Sequence, residues 1–283
     1  MAKRKIIITG IMVLIIGAVS VVSIAGAVTK RSVEKEVQKL FSSVENSGEI
    51  VAEEDLGGLP ESVQRWLLAS GAVGQEKTVA VRVKQRAMMR MSPEQSWMPV
   101  EAEQYFTVEE PGFIWRAEIQ AAPLIHIAGR DKYFEGEGNM LIKPLSLFTV
   151  ADGKGEEIDQ GSMLRYLAET IWFPSAALKE YITWEEVDDN QAKATMTYGD
   201  VTASGIFTFN EKGEVARFEA ERYGEFDGEY RLENWSIPVS DYQEFEGIRV
   251  PTKGEVTWAL DEGDFNWFIF ELQEIQYNQP ILY

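Results

Sequence analysis

Residues Asp159–Leu178 read DQGSMLRYLAETIWFPSAAL, and the fold turns on this stretch. Met163, Leu164, Leu167, Ala168 and Ile171 recur at intervals of three and four, which puts one apolar stripe on an amphipathic helix. Asp159 suits its N-cap. Pro174 ends it, because proline lacks an amide hydrogen and pushes Phe173 out of the helical region. A helix is therefore expected over residues 159–173.

The flanking sequence has a different period. In KTVAVRVKQRAMMRM, Lys77–Met91, Val79, Val81, Val83, Ala87, Met89 and Met91 alternate with Arg82, Lys84, Arg86 and Arg90. That is a strand with one buried face and one wet face. Further strands are expected at Met98–Glu109, Phe113–Gln120, around Leu124–Ala128 and at Asn139–Val150. After the helix, Asp188-Asp189-Asn190, Asn210–Gly213, Glu246-Gly247 and Asp261–Gly263 supply turn residues between alternating runs. Connections this short allow only antiparallel pairing. Phe265–Tyr277 (FNWFIFELQEIQY) and Leu145–Val150 (LSLFTV) are apolar on both faces, so something must cover the second face. The 159–173 helix can do so. The expectation is a mainly β protein, a strongly curved antiparallel sheet with a helix over its inner face.

At the N-terminus, Lys3-Arg4-Lys5 precedes Ile6–Val28, 23 residues without a charge. As a helix this run is about 35 Å long, enough for a hydrocarbon core of about 30 Å. It reads as a membrane anchor. A cleaved signal peptide ending near Ala25-Gly26-Ala27 is the alternative, although the run exceeds the usual signal core of about 7–15 residues. Basic residues flank both ends, and the short tail favours a single-pass protein with its body outside the cytoplasm. The expected organisation is an anchor at 1–31, a helical stalk and linker at 32–58, and one β domain at 59–283. The stalk carries Val33, Val37, Leu40, Phe41 and Val44 at helical spacing; Glu49–Gly58 is the linker, and a short helix at Leu59–Ser70 opens the domain.

Five of the 27 basic residues and none of the 46 acidic ones fall in residues 1–31, leaving the remainder at about −24. That balance excludes a nucleic-acid partner, which needs clustered cations. The absence of Cys rules out disulfides, thiol catalysis and Cys-ligated metals. His126 is the only histidine, so neither zinc catalysis nor a Ser-His-Asp triad is expected, and no cofactor or metal is implied. Arg165 and Glu169 stand four apart on the helix and pair structurally, or, if partly buried beside Tyr166 and Trp172, make Glu169 a general acid or base.

Three stretches carry a family resemblance: LPESVQRWL (Leu59–Leu67), RYLAETIWFP (Arg165–Pro174) and YQEFEGIRVP (Tyr242–Pro251), followed by Tyr277-Asn278. Over Leu59–Asn278 the chain resembles an uncharacterised bacterial and archaeal family known only as a domain of unknown function, which implies no activity. More loosely, the order of strands, helix and hairpins is similar to the half-barrel of Lol-type lipoprotein carriers. The functional expectation is a membrane-anchored extracytoplasmic module binding a lipid or other apolar group between helix and sheet. Tyr166, Trp172 and Phe173 would line the mouth, with Arg165 and Glu169 beside them and Arg165 meeting an acidic headgroup. The alternatives are an envelope hydrolase using Glu169 with Arg165 and Tyr166, or a scaffold in an envelope complex, marked by an exposed apolar patch.

Overall fold

The computed structural model describes residues 2–283, with side chains from Thr9 onward except Ile15; the Lys3-Arg4-Lys5 side chains therefore lie outside the described ones. Helix α1 (Ala2–Leu40) is continuous across the boundary expected at residue 31. From Thr9 it is long and apolar enough to cross a membrane, and the apolar stretch is not buried against the protein. Its last turns are different: Val33, Val37, Leu40 and Phe41 bury against Ala80, Tyr105 and Ile114. The stalk is thus docked on the body. The linker is docked too, with Val51 and Leu56 in the core and a bridge between Ile50 and Glu76. Helix α2 (Glu61–Ala69) follows and stops at Gly71, whose positive φ of 72° suits glycine.

The strands are β1 (Ala80–Met89), β2 (Met98–Thr107), β3 (Gly112–Ala122), β4 (Ile125–Phe134), β5 (Glu137–Pro144) and β6 (Ala151–Gly153) before helix α3 (Glu156–Glu169). After it come β7 (Ile182–Asp188), β8 (Gln191–Tyr198), β9 (Val201–Phe209), β10 (Val215–Phe226), β11 (Glu229–Phe245), β12 (Ile248–Leu260) and β13 (Gly263–Tyr277). All thirteen form one sheet in the order β6-β5-β4-β3-β2-β1-β13-β12-β11-β10-β9-β8-β7, open at β6 and β7. The first and last strands pair at its centre, Val81 opposite Tyr277 and Met89 opposite Phe268.

The curvature follows from what α3 touches. It packs against β4 and β5 and also against β8, β9 and β10. In a flat sheet β5 and β9 would be nine strand spacings apart, about 43 Å at about 4.8 Å each. A helix about 10–12 Å wide cannot bridge that distance, so the sheet must curl around it. Bulges at Lys84/Gln85 and Val256/Thr257 supply local bends. At Gly138 an added Cβ would lie 2.5 Å from the Ile158 carbonyl, so glycine sets the close approach of β5 to α3.

Two local expectations are corrected. The helix begins at Glu156, and Asp159 does not cap it: its Oδ1 accepts a 2.6 Å bond from the Gly138 amide of β5. The strand expected to run from Asn139 to Val150 ends at Pro144. Leu145 and Ser146 have φ of 51° and 59°, which breaks the extended chain. Phe148 and Val150 then stand in a loop, exposed.

Candidate functional site

The C-terminal end of α3 tightens into 3-10 turns at Thr170–Trp172 and Pro174–Leu178, which turn its aromatic side chains into the sheet. The Tyr166 hydroxyl donates to the Thr107 carbonyl at 2.9 Å and lies 3.1 Å from that of Tyr181. Trp172 Nε1 donates to the Pro251 carbonyl at 3.2 Å, and the Phe173 ring centre is 4.9 Å from that of Phe106. All three are fully buried. This corrects the expectation that Tyr166, Trp172 and Phe173 line a mouth: they fill the closed end of the core. The Trp172–Pro251 bond ties the RYLAETIWFP and YQEFEGIRVP stretches together, and Arg249 reaches α2 through its amide, which donates to the Ser70 carbonyl at 2.8 Å.

Arg165 points the other way, into the concavity. Its Nε is 2.9 Å from Glu169 Oε1 and its guanidinium 2.7 Å from Asp131 Oδ2, while Gln104 donates to Glu169 Oε2 at 2.7 Å. The guanidinium lies over the rings of Phe113 and Trp115, at 5.0 and 4.9 Å. Burial opposes the charge on Arg165, but Glu169 and Asp131 hold its pKa above the ordinary value. Burial pushes the Glu169 carboxyl up, against the pull of Arg165 and Gln104. Both oxygens of Glu169 are engaged. The Glu169 side chain is 12% exposed and its position is fixed by Arg165 and Gln104.

A second arginine stands close by without such partners. Arg222, on the inward phase of β10 with Phe218 and Ala220, lies over Trp235 and Trp258 at 4.8 and 5.7 Å. Its one hydrogen bond among the described residues runs from Nε to the Gly161 carbonyl of α3, at 3.1 Å, and it makes no ion pair. Burial pushes its pKa down to about 10, with Asp131 and Glu169 too far to bond but near enough to help hold the charge. The buried Gln104 Oε1 and Trp235 Nε1 also lack partners.

These groups sit where the concavity opens. Along the inner face, side chains pass from fully buried Val81, Val83 and Phe106 to half-buried Ile127, Leu260 and Phe265 near the β1–β2, β3–β4 and β12–β13 turns. The result is an aromatic trough with Arg222 on one wall and the Arg165–Glu169–Asp131 group on its floor. A groove of about 940 Å³ lies on the opposite, convex face between α1 and β1–β5, lined by Val22, Gly26, Lys84, Arg86, Leu124 and His126 among others. There His126 Nε2 lies 3.4 Å from the Ser146 hydroxyl. Among the described residues no group of three His, Asp or Glu side chains is placed to hold a metal ion.

Residues 49–270 match DUF6544, a family of unknown function. The chain belongs to that family. No curated protein matches the sequence. Among solved structures, a LolA superfamily protein from Nitrosomonas europaea is 11% identical, with a TM-score of 0.43 over 77% of this chain and 94% of that one. A DUF1329 family protein from Desulfovibrio piger is 9% identical, with a TM-score of 0.44 over 81% and 94%. A putative outer membrane lipoprotein-sorting protein domain from Vibrio parahaemolyticus is 9% identical, with a TM-score of 0.37 over 72% and 87%. At these values the likenesses carry no functional argument.

Within this DUF6544 chain, sequence reasoning found Arg165 and Glu169 and missed Asp131, Gln104 and Arg222. The signal was present, since each falls on the inward phase of an alternating strand, beside Tyr133, Phe106 and Phe218. A charged or polar residue at such a position is informative because it must be satisfied inside.

Proposed function

We propose that this DUF6544 protein is a single-pass membrane protein whose extracytoplasmic body binds a lipid or other amphipathic ligand in the trough between α3 and the concave face of the sheet. The observation that carries the reading is Arg222: a half-buried guanidinium stacked on two tryptophans and given no ion-pair partner among the described residues. Withdrawing a charge without an ion pair is costly, and an anionic group on a ligand would offset that cost. A carboxylate or phosphate fits the forked donors of arginine. The apolar part of the same ligand would lie along Trp235, Trp258, Phe268 and Met89. Arg165 and Glu169 form the polar floor, while Tyr166, Trp172 and Phe173 hold α3 in place behind it. Apolar walls with a few placed polar groups are the usual make-up of a small-molecule site.

The test is native mass spectrometry of the full chain extracted from membranes, followed by solvent extraction and lipid identification. A bound lipid at one per chain, reduced in Arg222→Met while the unfolding temperature holds, supports the reading. A chain that stays empty, even after incubation with fatty acid and anionic phospholipid, overturns it.

A further inference from the structure

Several large apolar side chains of the body stand exposed in the β3–β4 turn and the β5–β6 loop, at one end of the sheet. Leu124, in the β3–β4 turn, is 94% exposed; Phe148 and Val150, in the β5–β6 loop, are 65% and 64% exposed, and Ile125 is 46% exposed. Leu124 also has a φ of 67°. A left-handed leucine costs about 1–2 kcal/mol, and an exposed one regains nothing by packing. The protein thus holds an apolar side chain in water on a strained turn.

Helix α1 says what covers it. Its C-terminal turn meets the start of β3, where an added Cβ on Gly112 would lie 2.9 Å from Leu40. Farther back, Glu36 pairs with Arg130 in the middle of β4 at 3.2 Å, and Thr29 reaches the Ser146 carbonyl at 3.5 Å. Val22 and Gly26 share the convex groove with Leu124. The helix therefore runs along the sheet and leaves it at the edge that carries Leu124. Beyond that level the uncharged residues 6–21 remain in one helix, about 24 Å long, so most but not all of a hydrocarbon core of about 30 Å lies past Leu124 and the rest falls at its level.

We infer that Leu124, Ile125, Phe148 and Val150 sit in the interfacial layer of the bilayer that α1 spans, so that this edge of the sheet rests on the membrane and the mouth of the concave trough faces it. The inference rests on reading α1 as a membrane span. Apolar side chains at such an interface enter about 5–10 Å into the headgroup and acyl boundary. A body seated this way would exchange ligand directly with the bilayer. It would not need to carry it through water.

The chain has no Cys, so single cysteines can report on position. Leu124→Cys, Phe148→Cys, Leu14→Cys and Glu211→Cys, each in the full chain, are labelled with an environment-sensitive dye and reconstituted into phosphatidylcholine vesicles with and without nitroxide-bearing lipid. Glu211 lies in the β9–β10 turn and is exposed. The expected result is blue-shifted emission at 14, 124 and 148, quenched by the lipid nitroxide and shielded from aqueous iodide, with 211 open to iodide. If 14 is quenched by lipid while 124 and 148 remain open to iodide, the seating is wrong and the anchor stands. If 14 also remains open to iodide, the anchor reading itself fails. Shielding at 124 and 148 without lipid quenching would point to a protein partner and overturn the inference.

Discussion

At the scale of single residues, Arg165 is the hinge of the interior polar group, because among the described residues it is the only cation bonded to either Glu169 or Asp131. Arg165→Met should leave two carboxylates without a counter-charge and destabilise the chain by about 3–5 kcal/mol, read as a lower denaturant midpoint. Glu169 makes a pH prediction. Its pKa in the folded chain is raised above the ordinary 4.5 by burial, so the folded state holds the proton more tightly than the unfolded one. The stability contributed by this group is full below 4.5 and is lost as pH rises through the raised value. Glu169→Gln should remove that part of the pH dependence, measured as a flatter unfolding temperature between acid and neutral pH. The Arg165–Glu169 pair was legible from its spacing of four. Asp131 and Gln104 come from strands 34 and 65 residues away and meet it only in the folded chain.

At the scale of elements, α3 decides the curvature, and two substitutions test how. Gly138→Ala puts a methyl carbon against the backbone of α3 and should cost about 1–3 kcal/mol through overpacking, seen as a lower unfolding temperature with Arg222 still in place. Trp172→Ala should cost about 3–5 kcal/mol, because it opens a cavity in the closed end of the core. Its effect on ligand binding would therefore follow from unfolding, which makes Arg222→Met the sharper probe of the trough. The helix itself was legible from its apolar stripe. Its start was not, because Asp159 has the chemistry of a cap and is used instead to bind β5. The Leu145–Val150 stretch misled for a related reason: apolar residues in extended-looking sequence read as a strand, but Leu145 and Ser146 take positive φ and turn the chain out of the sheet.

At the scale of the whole molecule, α1 has two jobs divided along its length. Its exposed first part has the length and composition of a membrane span, and its last turns cover Ala80, Tyr105 and Ile114. Deleting residues 2–31 should move the protein from the membrane fraction to the soluble one with a small change in unfolding temperature. Extending the deletion through Ser43 removes Val33, Val37, Leu40 and Phe41 as well. At about 1.5–3 kcal/mol for each buried apolar side chain, it should lower stability markedly, and comparing the two truncations by fractionation and thermal unfolding separates the jobs.

By itself the sequence determined the element types, the antiparallel sheet, the single covering helix and the apolar N-terminal segment, because each is a local matter of period, turn chemistry or hydropathy. The tertiary structure decided which ends of those elements close and which stay open. Alternation states that Arg222, Asp131 and Gln104 face inward, but it cannot say which of them are packed shut. That depends on how far the sheet curls and where α3 crosses it, which are set by contacts between strands far apart in the chain.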